Sequence, residues 1–311
     1  VLCPDSLSND TEPTDEQRQL RSRLRYARPI AHQSLCSESA RITPIEHWLA
    51  QHFEVPANFM VSAFRRFAGG PQNPAADNSL TVVPAHLHAG LDHLVLQPPE
   101  AIDTCAAEAL ALIDAANEFL AADQIKLQMI DPQCWLLTTQ RKFDVTLSSS
   151  AMAIGRNVDI YMPAGTDGRA LRSLLNELQM LWHDHPVNLA REDAGIPKIN
   201  TVWPDGYAGL FESPANFDQL VSDNVASRGL AIATQIAAVP VTQVDSESLV
   251  TTNSVLELTA GASPVLQFLD SHPSVPLNLV LSDAQQWVQI RTSPKDRFCR
   301  WRPDPLHPSR R

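Results

Sequence analysis

The sequence predicts an α+β fold, a mostly antiparallel or mixed sheet with helices packed on it, and three observations support that prediction. Short runs that alternate apolar and polar residues come in neighbouring pairs joined by turns, the mark of hairpins. Between them lie stretches whose apolar residues recur at three and four, the mark of helices with one buried face. Hairpins outnumber recognisable strand-helix-strand crossovers, which favours antiparallel pairing. A three-layer α/β arrangement is the alternative.

The elements follow in order. Val1–Cys3 reads as a short first strand. Thr43-Pro44-Ile45-Glu46 has the form of a capping box with proline at the first helical position, so IEHWLAQHF should be a helix. After the GGPQNPAADN loop (Gly69–Asn78), Leu80–Val83 and His93–Leu96 read as strands flanking PAHLHAGLD. Thr104 is placed to cap a helix with Ala109, Leu112, Ile113, Ala116, Phe119 and Leu120 on one face. Ile125, Leu127 and Met129 alternate before Asp131-Pro132 turns the chain into Cys134–Leu137, a hairpin. Asp167 should cap a helix running towards His185, and Pro186 should start a second helix that ends at Gly195. Helices are expected to fill most of 214–270, including Arg228–Ala238. LNLVLSD (Leu277–Asp283) and QQWVQIR (Gln285–Arg291) predict a second hairpin. A strand over Arg297–Arg302 would put Phe298 and Arg300 on one side, Cys299 and Trp301 on the other.

The chain has 311 residues, 44% hydrophobic and 19% charged, enough to bury a sizeable core. A single domain over 1–311 is expected, with candidate joints at 69–78 and 239–250 and a basic tail at 303–311. No apolar run approaches the roughly 18 residues that span a bilayer. Cys3, Cys36, Cys105, Cys134 and Cys299 are widely spaced and form no C-x-x-C pair, which fits a reducing cytoplasm better than a disulfide framework or zinc cluster. A net charge of −11 argues against nucleic acid as the main partner. Lys and Arg are nevertheless concentrated from Arg291 to Arg311, where Arg300 and Arg302 would form a positive patch. Glycine is scarce (11) and proline abundant (24), and no dinucleotide fingerprint, P-loop or nucleophile elbow is present, so no cofactor is expected.

The most informative block is LRSLLNELQMLWHDHPVNLAREDAGIPKINTVW, residues 171–203. Leu171, Leu174, Leu175, Leu178, Leu181 and Trp182 make one apolar helix face. At about 100° per residue, Arg172, Asn176, Gln179 and His183 share a stripe away from it. Two amides, an imidazole and a guanidinium suit an anionic or amide-bearing group, and they could equally satisfy loop backbone packed over the helix. His185, Asn188 and Arg191 lie near the turn, and Asn200 and Trp203 close the block as further candidate ligand-binding residues. A metal is not expected. His183 and His185 would point roughly 200° apart on a helix, unless Pro186 opens the chain, and His86, His88 and Asp92 would gather around an ion only if their turn folds back.

The block Gly155–Trp203 resembles the RpfE-type regulatory protein family of proteobacteria, whose members are often labelled cofactor-independent phosphoglycerate mutases. The resemblance rests on GRNVDIYMPAGTD, LLNELQMLWHDHPVN, Ala190-Arg191 and Ile199–Trp203, with weaker agreement at IEHWLAQHFEVP, PAHL with Asp92, the helix and hairpin ending at Trp135-Leu136, and RGLA at Arg228–Ala231. Two positions depart from the family pattern: Val83 stands where an Asp precedes the proline, and Trp203–Tyr207 replaces a tryptophan- and glycine-rich loop. The resemblance implies a cytosolic regulatory or adaptor protein, more regulator than enzyme, that binds a protein partner or a small anionic ligand. The alternative it implies is a divalent-metal-dependent, phosphoglycerate mutase-like or phosphate-ester enzyme. A mutase of the alkaline-phosphatase type would need a serine nucleophile and two Asp/His clusters, and Asp5-Ser6 is the only echo of the former.

Overall fold

A computed structural model describes residues 1–3, 14–35, 40–56, 59–68, 78–90, 92–209, 216–243, 253–258, 261–273, 275–283, 285–299 and 305–306. Asp5-Ser6, Cys36, most of both candidate joints, and Arg300–Arg302 with nearly all of the 303–311 tail lie outside them. The chain divides into two units, one formed by 1–53 with 214–311 and the other by 54–213. Both mix helices and sheet, so the fold is α+β. Among the described residues no helix is long and apolar enough to cross a membrane.

The 54–213 unit is built on a four-stranded antiparallel sheet ordered Lys126–Asp131, Cys134–Thr138, Ser79–Ala85, Thr201–Tyr207. The central strand SLTVVPA is buried along its whole length. It tolerates Pro84 because its pairing with Cys134–Thr138 ends at Val82, so the missing N–H falls where only one neighbour remains. Helices Ala106–Phe119 and Gly168–His183 lay Leu112, Ile113 and Ala116, and Leu171, Leu174, Leu178 and Trp182, into a core shared with Leu80, Val82, Trp135 and Val202. Each fully buried Leu contributes on the order of 2 kcal/mol. Trp135 and Trp182 meet edge to face at 6.1 Å, and both indole N–H groups donate to carbonyls, of Pro132 and Leu112.

Some details differ from expectation. Thr104 is not the cap of the 106–119 helix: Cys105 takes that position, and its N–H donates to Glu108 at 3.0 Å, completing a reach-back from the first turn. Phe119 is half exposed, because the buried face has rotated away by the last turn. Asp167 flanks the 168–183 helix without capping it, its carboxylate being taken by Arg141 and the Asp144 N–H.

In the other unit, Leu2–Cys3 pairs in parallel with Leu277–Ser282, which runs antiparallel to Gln286–Thr292, and that strand antiparallel to Arg28–Ser34. The predicted C-terminal hairpin is therefore present. Both amphipathic helices at the start, Asp15–Leu24 and Pro44–His52, open with reciprocal capping boxes, Thr14 with Gln17 and Thr43 with Glu46. Helices do not fill 214–270. Val225–Ala233 and Ala262–Ser271 are helical, but Gln219–Val221, Ala237–Val239 and Ser254–Leu256 form a three-stranded parallel sheet. Strands of three residues are too short to show alternation. Asp296–Phe298 is a 3₁₀ turn, not the start of a strand, and leaves Phe298 exposed while Cys299 is buried.

Opposite Thr81 and Val82 the strand 201–207 carries one extra residue, Asp205, between Pro204 and Gly206. This bulge demands glycine next to it: Gly206 has φ +136°, and a Cβ there would lie 3.0 Å from the Ala63 Cβ and 3.1 Å from that of Met60. Gly206→Ala is expected to lower stability by about 1–3 kcal/mol, read as a shifted midpoint in urea unfolding. An unchanged midpoint would show that the bulge relaxes freely.

Candidate functional site

The 168–183 helix ends at His183, Asp184 turns the chain, and Pro186–Asp193 forms the second helix with His185 as its N-cap. The corner is fastened by buried polar side chains. Asn188, fully buried, donates from Nδ2 to the carbonyls of Trp182 and Ile199, both at 2.8 Å, and accepts from the Ile199 N–H at 2.8 Å. Arg191 donates to the Pro197 and Ile102 carbonyls and grips both carboxylate oxygens of Glu108 at 2.8 and 2.9 Å. Burial alone would raise the Glu108 carboxyl, but the Cys105 N–H and Arg191 outweigh it and hold the group below its ordinary value. Asn200 exchanges two bonds with the Leu87 backbone, as a strand partner would, and the buried Trp203 indole donates to the Ser148 carbonyl at 2.8 Å. The polar atoms of these four predicted residues are occupied by protein partners.

The stripe behaves differently. Arg172 half belongs to the fold, donating to the Pro163 carbonyl at 2.5 Å. Asn176 and Gln179 make no side-chain hydrogen bond to the described residues. His183 is 71% exposed with Asp184 3.8 Å away. Met180, on the adjoining face, is 79% exposed. His185 Nδ1 accepts from the Val187 N–H at 3.3 Å, so its proton sits on Nε2. His183 and His185 thus have separate tasks at the corner, one exposed and one capping.

His86 and His88 face each other at 6.1 Å between ring centroids, but the His86 Nδ1–H is committed to the Lys198 carbonyl at 2.7 Å, and Asp92 pairs with His93. Among the described residues no three His, Cys, Asp or Glu side chains converge as a metal cluster.

Sequence reasoning missed a buried charge cluster in the same unit. Asp205, turned inward by the bulge, accepts from the Ser150 N–H (2.6 Å) and hydroxyl (3.0 Å), with Arg65 Nε 3.7 Å away. Burial pushes its carboxyl up, and Arg65 and Ser150 pull it back. Beside it the buried Arg66 lies over the Phe67 ring at 4.0 Å, with Nε and Nη2 unpartnered, and burial lowers its pKa to about 10. Arg65-Arg66 sits inside an apolar stretch, the one signal that could have exposed it. Val83 pairs directly with Trp203, one strand position from the bulge.

Burial holds the histidines at 86 and 185 below the usual value of 6.5. A histidine depressed in the folded state contributes stability that is intact above the unfolded pKa and is lost as pH falls towards the folded one. The protein should therefore lose stability from about pH 6.5 downward, read as a falling Tm. His185→Asn keeps a good N-cap without a titrating group, and should flatten that decline; an unaltered slope would remove His185 from the account.

No family model matches the chain. Over 59 residues it is 37% identical to the 2,3-bisphosphoglycerate-independent phosphoglycerate mutase of Methanosarcina mazei, a match that spans 18% of this chain and only 15% of that relative. The cofactor-independent phosphoglycerate mutase of Thermoplasma acidophilum aligns over 94% of this chain and 88% of its own, at 13% identity and a TM-score of 0.41. A Pyrococcus horikoshii protein aligns over 94% and 86%, at 11% identity and a TM-score of 0.47. The chain is weakly similar to cofactor-independent phosphoglycerate mutases.

Proposed function

We propose that this chain is a cytosolic regulatory or adaptor protein that binds a protein partner through the outer face of the 168–193 corner. The observation that carries this reading is the unsatisfied stripe: Asn176 and Gln179 offer amides that bond nothing in the described fold, beside the exposed His183 and Met180. Methionine adapts its shape to a partner, and amides donate and accept to backbone. Arg172, with its remaining donors, and the His185 Nε2–H add a preference for an acidic group, either a carboxylate on the partner or a small anionic ligand. Asn188, Arg191, Asn200 and Trp203 serve this surface by fixing its shape. A second reading, divalent-metal-dependent phosphoglycerate mutase-like phosphotransfer, is supported by the 59-residue similarity to the Methanosarcina mazei mutase.

The combined variant Asn176→Ala, Gln179→Ala, Met180→Ala changes only side chains outside the buried core, so its stability should stay within about 0.5 kcal/mol of the parent. Cross-linking followed by mass spectrometry should recover a partner peptide attached near this corner in the parent and lose it in the variant. Equal recovery from both would sink the surface. Interconversion of 2- and 3-phosphoglycerate by the purified protein with manganese, abolished by a chelator, would replace the adaptor reading with the second.

A further inference from the structure

In the unit formed by 1–53 and 214–311, the strands Leu277–Ser282, Gln286–Thr292 and Arg28–Ser34 lie side by side. Their register sets Asn278, Arg291 and Arg28 directly opposite one another in a single row. Opposite residues of an antiparallel ladder share a face of the sheet, with Cβ atoms roughly 5 Å apart between neighbours. All three residues are exposed. Neither guanidinium has a hydrogen bond or an ion pair among the described residues. The next row on this face, Val280, Gln289 and Ala31, holds no carboxylate.

Two like charges held opposite each other without a counter-ion destabilise a sheet. Asp and Glu outnumber Lys and Arg in this chain by 35 to 24, yet among the described residues none pairs with this row. The row joins two basic stretches far apart in sequence. Arg21–Arg28 carries four arginines and no carboxylate, and Arg291 opens the C-terminal basic stretch. Arg28–Ser34 is the last strand of the described sheet. Pro29 lacks an N–H, and Ile30 is the extra residue of a bulge, without a partner in the ladder. Proline and a bulge keep a further strand from adding to an outer one, so a second copy joined edge to edge does not fit. Side-chain contact remains: two guanidinium forks, each able to take a carboxylate with two bonds, and the Asn278 amide.

We propose that this row docks a short acidic segment of a protein partner, whose Asp or Glu side chains pair with Arg28 and Arg291. Charge complementarity selects the carboxylates, and binding them removes the repulsion that the free protein carries. A long polyanion such as nucleic acid is repelled by the net charge of −11, whereas a short segment meets only the row. The surface at 168–193 belongs to the other unit, and neither inference rests on the other.

Fluorescein-labelled hexaglutamate is the probe, titrated with the full chain and followed by anisotropy. In about 0.1 M salt, charges more than roughly 10 Å apart are screened, so the row acts without the rest of the surface. The chain should bind hexaglutamate and not hexaglutamine. Arg28→Gln and Arg291→Gln should each weaken binding about two- to fivefold. Lys126→Gln, which removes the same charge from the 54–213 unit, should leave it unchanged. Neither arginine substitution should lower the midpoint of urea unfolding, since each relieves the repulsion. No binding up to millimolar chain, equal binding in parent and arginine variants, or an equal loss in Lys126→Gln would each overturn the proposal. So would a lowered midpoint, which would assign the arginines to the fold. An oligothymidylate of matched charge that binds more tightly through the same arginines would overturn it in favour of a nucleic-acid site.

Discussion

One buried amide holds the corner on which the proposed surface stands. Asn188 is removed from water completely, and an amide so buried is tolerated only when its donors and acceptor are used. It uses them on the backbone of two separate segments. The Trp182 carbonyl belongs to the last turn of its helix, where it accepts from the His185 N–H at 3.2 Å and also from Asn188. Ile199 lies in a stretch without regular structure, whose N–H and C=O would otherwise be orphaned. Arg191 does the same for Pro197 and Ile102, and Asn200 passes the tie on to Leu87. The irregular stretch 196–200 is thereby held as firmly as a strand, and the stripe on the neighbouring helix has a rigid base.

Local signals were the legible ones. Capping boxes and apolar recurrence act within four residues, so the helices 44–52, 106–119, 168–183 and 186–193 could be read directly, as could the hairpins at 126–138 and 277–292. The parallel strands at 219–221, 237–239 and 254–256 could not, because what defines them is pairing between residues far apart in sequence. The site shows the same division. Helical geometry put Arg172, Asn176, Gln179 and His183 on one stripe, but it could not tell Asn176 from Asn188. Both are helical asparagines of the same 168–193 corner. Only the packing of a second helix and of Ile199 against the corner buries one and leaves the other free.

Asp205 shows why long-range register can hide a charged residue's role. By strict alternation, 205 would share a face with 203 and 207. The bulge breaks that count, since Gly206 pairs with Thr81 and Pro204 with Val82, leaving Asp205 between them without a partner of its own. Proline before it and glycine after it are the residues that permit the distortion, on an edge strand where a missing N–H costs little. The carboxylate then reaches Ser150 and stands near Arg65, tying the 150–153 helix to the sheet.

Histidine chemistry in this chain is set by which end of a helix the residue occupies. A helix C-terminus offers carbonyls, so His52 and His272 place their proton on Nδ1 and present Nε2 as an acceptor. A helix N-terminus offers N–H groups, so His185 accepts at Nδ1 and presents Nε2–H as a donor. The same side chain therefore has opposite polarity at its free nitrogen in the two units. Protonation is also opposed at His185, because it would remove the cap and set a positive charge at the positive end of the helix dipole. An acceptor-bearing group is the complement of the His185 Nε2–H.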